Sequence, residues 1–158
     1  MAATVDTVSF SCDLPVPSNN TYYRNFRGHM VLSSNGRKFK ADIANILVGC
    51  RQVKGPVKVK LALRWKDKRK RDLDNYFKAV FDAIKNKLIE DDDTVYELNA
   101  TKSCGNKSCE SGFDIEITSM DIPEHKTLEG RQVVKKIKKE VVDGDSDDDD
   151  YMFSLDNN

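Results

Sequence analysis

The sequence has few of the features that are typical of secreted proteins, of membrane-spanning proteins or of proteins stabilised by a structural metal ion. It contains four cysteines and two histidines in 158 residues, and the cysteines form no recognisable disulfide framework. No apolar segment has the length of a membrane span or the pattern of a signal peptide. Cys104 and Cys109 are predicted to be reduced residues at a turn between two strands. We expect a soluble, intracellular protein without a membrane partner, and its compartment (cytoplasm, nucleus or organelle) stays open.

The formal net charge is zero, but the charges are unevenly distributed along the chain. Residues 143–158 hold seven of the 26 acidic groups and no basic group, which leaves 19 acidic and 26 basic groups in the first 142 residues. That part of the chain therefore has a net charge of about +7. A surplus of this size favours an anionic partner and matters more than the zero average.

The length suits one domain with a core of its own, followed by extensions. We predict a single domain over residues 1–123, a basic amphipathic or flexible extension over 124–142 and an acidic, disordered tail over 143–158. The tail ends in an apolar group around Phe153. The tail is expected either to compete with DNA phosphate for the basic surface, which would inhibit the protein's own DNA binding, or to dock on a protein partner. A purely solubilising tail is the alternative.

The spacing of apolar residues predicts an α/β (α+β) fold. Strands are predicted over 5–14, 30–33 and 57–65, the last with apolar residues at every second position. Helices are predicted over about 36–50 and from Asp72 or Asp74 to Leu88. Strands over 95–104 and 113–120 are expected to form a terminal hairpin. The result is a small mixed β-sheet with two main helices packed on it.

Residues 66–93 combine a basic run with a group of carboxylates. Asp72 and Asp74 flank Leu73, and the acidic run 90–93 follows the second helix. Carboxylates grouped in this way can hold Mg²⁺, which activates water and neutralises charge on phosphate. The basic run would attract that phosphate, although such a run is also typical of a nuclear localisation signal or a solvated loop. Its members are Lys66, Lys68, Arg69, Lys70 and Arg71.

The two aspartates and a lysine share one stretch of the predicted helix. Asp74 and Lys78 are four residues apart, so the ammonium can reach the phosphate that the metal binds. By itself this spacing fits an ordinary surface ion pair, but next to Asp72, Asn75 and the basic run it favours the catalytic interpretation. Asp72 by itself fits a helix N-cap, where aspartate is favoured. The N-cap explains Asp72 but leaves Asp74 unexplained.

The loop before the first helix is both aromatic and basic. This loop is predicted to contact DNA, by stacking on an opened junction or by binding its backbone, through Tyr22, Tyr23, Arg24, Phe26 and Arg27. Burial of Tyr22 or Tyr23 in the core is the alternative.

The run Arg71-Asp72-Leu73-Asp74-Asn75, followed by Lys78, Phe81-Asp82-Ala83 and Asp91-Asp92, resembles the RusA family of Holliday junction resolvases. The opening segment 15–24, with its two prolines and Tyr23-Arg24, also resembles that family. The matches cover about residues 8–118 in the same order. The resemblance implies a RusA-like fold and a homodimeric, Mg²⁺-dependent endonuclease that cuts four-way DNA junctions symmetrically; Mn²⁺ can substitute for Mg²⁺.

The resemblance also implies roles for individual residues. The family's metal ligands correspond to Asp72, Asp74 and Asp92, and its catalytic lysine corresponds to Lys78. This chain departs from the family where it has four consecutive acids instead of two aspartates. Counting back from Val95 selects Asp92, whereas counting forward from Asp74 selects Asp93. We favour Asp92, with auxiliary roles for its neighbours and for a polar residue of the first turn: Asp91, Asp93 and Asn75.

Two other functions remain open from the sequence. One is a non-catalytic protein that binds branched DNA, and the other is a general metal-dependent nuclease without preference for junctions. The acidic cluster and the lysine argue against the first.

Helix length leads to a further prediction, that each active site is shared between two chains. A straight helix from Asp74 to Leu88 is about 21 Å long, and the four residues to Asp92 can return at most about 14 Å. Asp92 would then lie beside the Asp72 and Asp74 of a partner subunit. If the helix ends early, near Ile84, the site can form within one chain.

Overall fold

The computed structural model describes residues 4–122, which lie in one compact unit ending at Pro123. The predictions for 124–142 and for the acidic tail fall outside the described residues, and the proposed division of the chain stays a prediction. None of the helices within 4–122 is long and apolar enough to cross a membrane.

Residues 4–122 form six strands and three α-helices, in the order β1, α1, β2, β3, α2, β4, α3, β5, β6. Short 3-10 turns over Leu73–Tyr76 and Asp92–Thr94 precede α3 and β5. The strands are β1 Thr7–Cys12, β2 Tyr23–Phe26, β3 His29–Leu32, β4 Val57–Trp65, β5 Val95–Cys104 and β6 Gly112–Ser119; the helices are α1 Asn19–Tyr22, α2 Ser34–Ile46 and α3 Phe77–Ile84. The predicted mixed α+β fold is confirmed.

Strand β4 is the centre of a four-stranded mixed sheet with the order β1-β6-β4-β5. It pairs antiparallel with β6 and parallel with β5, while β1 pairs antiparallel with β6. The predicted alternation is confirmed, because every second β4 side chain from Val57 to Trp65 is buried and those between are not. Each such burial stabilises the fold by about 1.5–3 kcal/mol.

The expected terminal hairpin of β5 and β6 is wrong. The two strands are consecutive in sequence, but β4 lies between them in the sheet. Because α3 carries the chain back to the start of β4, β5 pairs parallel with β4, and β6 takes the opposite edge of that strand. Cys104 ends β5 and Cys109 lies in the connection to β6, and both are reduced, as predicted.

The core is formed where α2 and α3 meet the buried side of the sheet. Phe39, Ile43 and Leu47 from α2 and its end join Val80 and Ile84 of α3 in one cluster with the β4 side chains. The prediction of two main helices packed on a small sheet is therefore confirmed.

Helix α3 is shorter than the apolar spacing indicated. The predicted helix from Asp72 or Asp74 to Leu88 is wrong, since the first turn is a 3-10 turn and the α-helix ends at Ile84. Asn86 takes a left-handed conformation with φ 59°, which stops a helix. Leu88 is still fully buried, because the chain reverses and Ile89 bridges to Val53. Spacing alone cannot distinguish this return from another helical turn.

A two-stranded hairpin, β2–β3 (Tyr23–Leu32), forms a second small sheet. The sequence predicted only its second strand and assigned α1 and β2 to a loop. Most of the hairpin side chains are exposed, so the alternation that reveals a half-buried strand is missing.

Candidate active site

Asp72 and Asp74 lie in the segment that connects the central strand β4 to α3. Asp72 has extended backbone angles and its carbonyl accepts a hydrogen bond from the Asn75 N–H at 3.2 Å. Its carboxylate makes no capping hydrogen bond, so the N-cap interpretation does not explain this side chain. Asp74 lies in the 3-10 turn, and both carboxylates are exposed. They are accessible oxygen donors beside the start of α3.

Lys78 links α3 to the acidic run that follows it. Its Nζ lies 2.9 Å from Asp82 Oδ1, one turn along the helix, and 3.3 Å from Asp92 Oδ2. These two carboxylates raise the pKa of Lys78 to about 12, with Asp82 as the main cause. The ammonium therefore stays charged at neutral pH and cannot act as a base. It can stabilise negative charge on a phosphate.

Two tyrosines hold Asp82 from the other side. The hydroxyls of Tyr22 and Tyr23 donate to Asp82 Oδ2 at 3.4 and 3.2 Å. Tyr22 is completely buried, and its burial, with the nearby Asp82 charge, raises its pKa far above the usual range. The tyrosines thus remain hydrogen-bond donors, and Asp82 keeps one oxygen on them and the other on Lys78.

This network contains two residues, Asp82 and Tyr22, to which the sequence patterns assigned no catalytic role. Asp82 carries a detectable signal, since it follows Lys78 by four residues on the polar side of α3. Tyr22 carries none, because the contact joins residues 60 positions apart. The expectation that Tyr22 or Tyr23 fills the core is confirmed for Tyr22.

The three consecutive aspartates have different environments. Asp91 caps the turn by accepting the Asp92 N–H at 2.7 Å and pairs with Lys85 at 2.7 Å. Its pKa is lowered to about 2, first by the hydrogen bond to Asp92 and then by Lys85. Asp92 faces Lys78, and Asp93 is exposed. The geometry thus joins Asp92 to the predicted catalytic lysine.

The Lys78–Asp92 contact lies within one chain. The helix-length argument for a shared site is therefore wrong, because α3 ends at Ile84 and the chain folds back. The alternative of an early helix end is what the structure shows. Within residues 4–122 no three Asp, Glu, His or Cys side chains are close enough together to hold a metal ion. Asp72, Asp74 and Asp92 as a ligand trio thus stay a prediction.

Comparison with known proteins identifies the family of the chain. Residues 14–118 match the family model described as endodeoxyribonuclease RusA. The chain belongs to the RusA family. Three relatives carry the name crossover junction endodeoxyribonuclease RusA: one from Enterobacteria phage 82, 42% identical over 71 residues, one from Escherichia coli K12, 40% identical over 80 residues, and one from Escherichia coli O139:H28, 36% identical over 99 residues.

The alignments differ in how much of each protein they cover. They include 43%, 48% and 60% of this chain and 59%, 67% and 82% of the phage 82, K12 and O139:H28 relatives, respectively. The family match covers the whole site, from the tyrosines to the acidic run. This RusA-family chain is thus a member of a family of DNA-cutting enzymes.

The basic run of this RusA-family member divides into paired and exposed side chains. Arg71 forms two hydrogen bonds with Asp67, at 2.5 and 2.8 Å, and its guanidinium lies 4.9 Å from the Trp65 ring centre. Lys66 pairs with Glu110. The remaining three, Lys68, Arg69 and Lys70, are exposed and form no salt bridge among the described residues.

The predicted DNA-binding residues of the hairpin also differ in their exposure. Tyr23 is half-buried against Asp82, whereas Arg24 and Arg27 are exposed further along the hairpin. Both groups, the basic run and the hairpin residues, stay predictions as DNA contacts.

Proposed function

We propose that this chain is a Mg²⁺-dependent, structure-selective endonuclease that, as a homodimer, resolves four-way DNA junctions by paired symmetric nicks. The single observation that carries the proposal is Lys78, held by Asp82 and Asp92 and preceded along the chain by the exposed Asp72 and Asp74. The names of the relatives point to the same substrate. A two-fold dimer suits two symmetric nicks.

The donor chemistry of the site fits a hard divalent cation. Asp72, Asp74 and Asp92 offer carboxylate oxygens, the ligands that Mg²⁺ prefers, and Mn²⁺ can replace it. When bound, the ion supplies an activated water and neutralises charge on the phosphate. Asp72 and Asp74 are exposed and so accessible to it.

The protein's own groups then orient and neutralise the scissile phosphate. Lys78, which remains charged, would contact a phosphate oxygen and stabilise the extra negative charge of the transition state. Asp82 and the two tyrosines keep the ammonium on this side of α3. Lys68, Arg69 and Lys70 would bind the flanking backbone, since a carboxylate cluster repels DNA unless cations surround it.

One experiment separates this function from its two alternatives. The full chain is incubated with an immobile four-way junction and with a linear duplex of matched sequence, each with Mg²⁺ and with EDTA. We expect paired nicks in the junction only, and only with Mg²⁺. Cleavage of both substrates would indicate a general nuclease, and junction binding without cleavage would indicate a non-catalytic binding protein.

A further inference from the structure

The β2–β3 hairpin presents an unusually exposed stretch of chain. All seven residues from Arg24 to Met30 are exposed. They include an aromatic ring, two arginines, a histidine and a methionine. Phe26 and Met30 are its exposed apolar side chains.

Phe26 is the centre of the group. Its side chain is 49% exposed, and the guanidiniums of Arg24 and Arg27 lie 5.5 and 5.2 Å from the ring centre. Both distances are within the range of a cation–π contact. Among residues 4–122 neither arginine forms a salt bridge, so the two charges stay available to a phosphate while they hold the ring.

The turn of the hairpin places an arginine where a smaller residue is favoured. Arg27 and Gly28 form a two-residue turn with φ of 50° and 81°. Asparagine, aspartate and glycine are preferred in such turns because φ is positive at both positions. The Asn25 side chain supports the turn by accepting the Gly28 N–H at 3.1 Å. Strain of this kind is found most often at functional sites.

The surrounding segment carries charge of one sign only. Residues 14–41 contain five lysines and arginines and no aspartate or glutamate. Unpaired nucleic acid offers two kinds of contact, the charge of its phosphates and the face of a base. A basic stretch with an exposed aromatic ring can make both contacts.

The hairpin starts at the candidate active site. Tyr23, its first residue, donates to Asp82, which holds Lys78. Phe26 is three residues further along the strand, about 10 Å at 3.3 Å per residue. A base in contact with Phe26 would thus lie within a few nucleotides of a phosphate at Lys78.

We propose that Phe26 is a stacking residue for an unstacked nucleobase at the branch point of a four-way DNA junction, with Arg24 and Arg27 on the adjacent phosphates. The inference rests on the proposed function and names the element that recognises the branch. In an intact duplex both faces of each base are stacked on neighbours. The ring therefore gains a partner only where the stack is interrupted, and the contact favours junctions over duplex.

The test uses the full chain in EDTA, with an immobile junction that carries 2-aminopurine at the branch point. Wild type is expected to change the 2-aminopurine emission on binding. Phe26→Ala should lose most of this change and bind the junction about fivefold more weakly, at the lower end of the value of one base–aromatic stack. Its affinity for the linear duplex should stay the same. Phe26→Trp should restore both junction signals.

Met30→Ala is the matched control, because Met30 is a 66% exposed apolar residue of the same hairpin. It should leave junction binding and emission unchanged. Phe26→Leu, which keeps an apolar side chain but no ring, should behave like Phe26→Ala, because the stacking requires the ring; unchanged duplex affinity of both variants shows that they are folded.

The two ideas fail in different ways. If wild type binds junction and duplex equally, the proposed function and the stacking role both fall. If wild type prefers the junction and Phe26→Ala keeps that preference and the emission change, only the stacking role is wrong.

Discussion

Two charged regions of this molecule use their charges in opposite ways. Residues 66–93 contain eight basic and eight acidic residues, and many of them pair with one another, as Lys78 does with Asp82 and Arg71 with Asp67. Residues 14–41 contain five basic residues and no acidic one, and of the five only Lys38 forms a salt bridge among the described residues, with Asp42 just beyond the segment. Paired charges hold side chains in defined positions, which chemistry requires, whereas unpaired cations attract DNA at long range. The difference separates a region suited to reaction from one suited to binding.

The largest expected effect comes from removing a carboxylate of the balanced region. Asp74→Asn should reduce junction cleavage about a thousandfold, because a predicted metal ligand is lost. Junction binding should survive or become tighter, since one charge that repels phosphate is gone. Gel shift and cleavage assays measure the two effects. Asp121→Asn, an exposed carboxylate outside the site, should cut normally, and near-normal cutting by Asp74→Asn would reject the assignment.

The next prediction tests whether the Lys78–Asp82 pair positions the Lys78 side chain. Asp82→Asn should lower turnover about a hundredfold, as a small displacement of Lys78 can do, with junction binding in EDTA unchanged. Asp42→Asn is the control, because Lys38–Asp42 is also a lysine–aspartate pair four residues apart, at 2.9 Å, but lies on α2.

A double variant checks that Asp82 acts through the lysine. Lys78→Gln with Asp82→Asn should be about as slow as Lys78→Gln alone, since the two residues form one unit. A further loss of the same size as in the single Asp82 variant would show that Asp82 acts independently of Lys78.

A third change tests the contact between Gly36 and Tyr22, which links residues 14–41 to the candidate site. Gly36 is buried against Tyr22, and a Cβ at this position would clash with the Tyr22 carbonyl. Gly36→Ala should lower the free energy of unfolding by about 2 kcal/mol through overpacking. It should also slow cleavage, because Tyr22 supports Asp82. Denaturant unfolding provides the measurement, with the exposed Asn35→Ala as control; equal stability of the two variants would contradict the tight packing.

The basic run offers a comparison of paired and exposed lysines. Lys70→Ala should reduce the slope of log affinity against log salt by about one, as expected for one lost phosphate contact. Lys66→Ala should reduce it less, because Lys66 pairs with Glu110. Titrations of duplex binding at several salt concentrations measure both slopes. A larger change for Lys66 would reverse the assignment of the exposed residues to DNA.

The smallest effect is expected from the acidic tail. Deleting residues 143–158, which hold seven aspartates, should tighten DNA binding by about threefold at low salt, with a difference that fades as salt screens the charges. Unchanged affinity at low salt would exclude competition and favour the docking of the tail on a protein partner.

Much of the framework could be predicted from the sequence because local patterns encode it. Alternation along 57–65 identified the central strand, since one side of a buried strand must be apolar. The spacing of Asp72, Asp74 and Lys78 identified the candidate site, because these residues lie within two turns of one segment. The family resemblance to RusA rested on the same short-range motif and is confirmed.

Contacts between distant residues were decided only by the tertiary structure. The order of the sheet separates β5 from β6, and the turn at Asn86 brings Asp92 back to Lys78. Tyr22 reaches Asp82 across 60 residues, and the exposed hairpin brings the Phe26 ring within cation–π distance of two arginines. No periodic pattern reports such contacts, because they depend on how elements pack rather than on the spacing within one element. Thus the sequence by itself determined which residues are candidates for the chemistry, through their spacing along one segment, and only packing decided which of them meet.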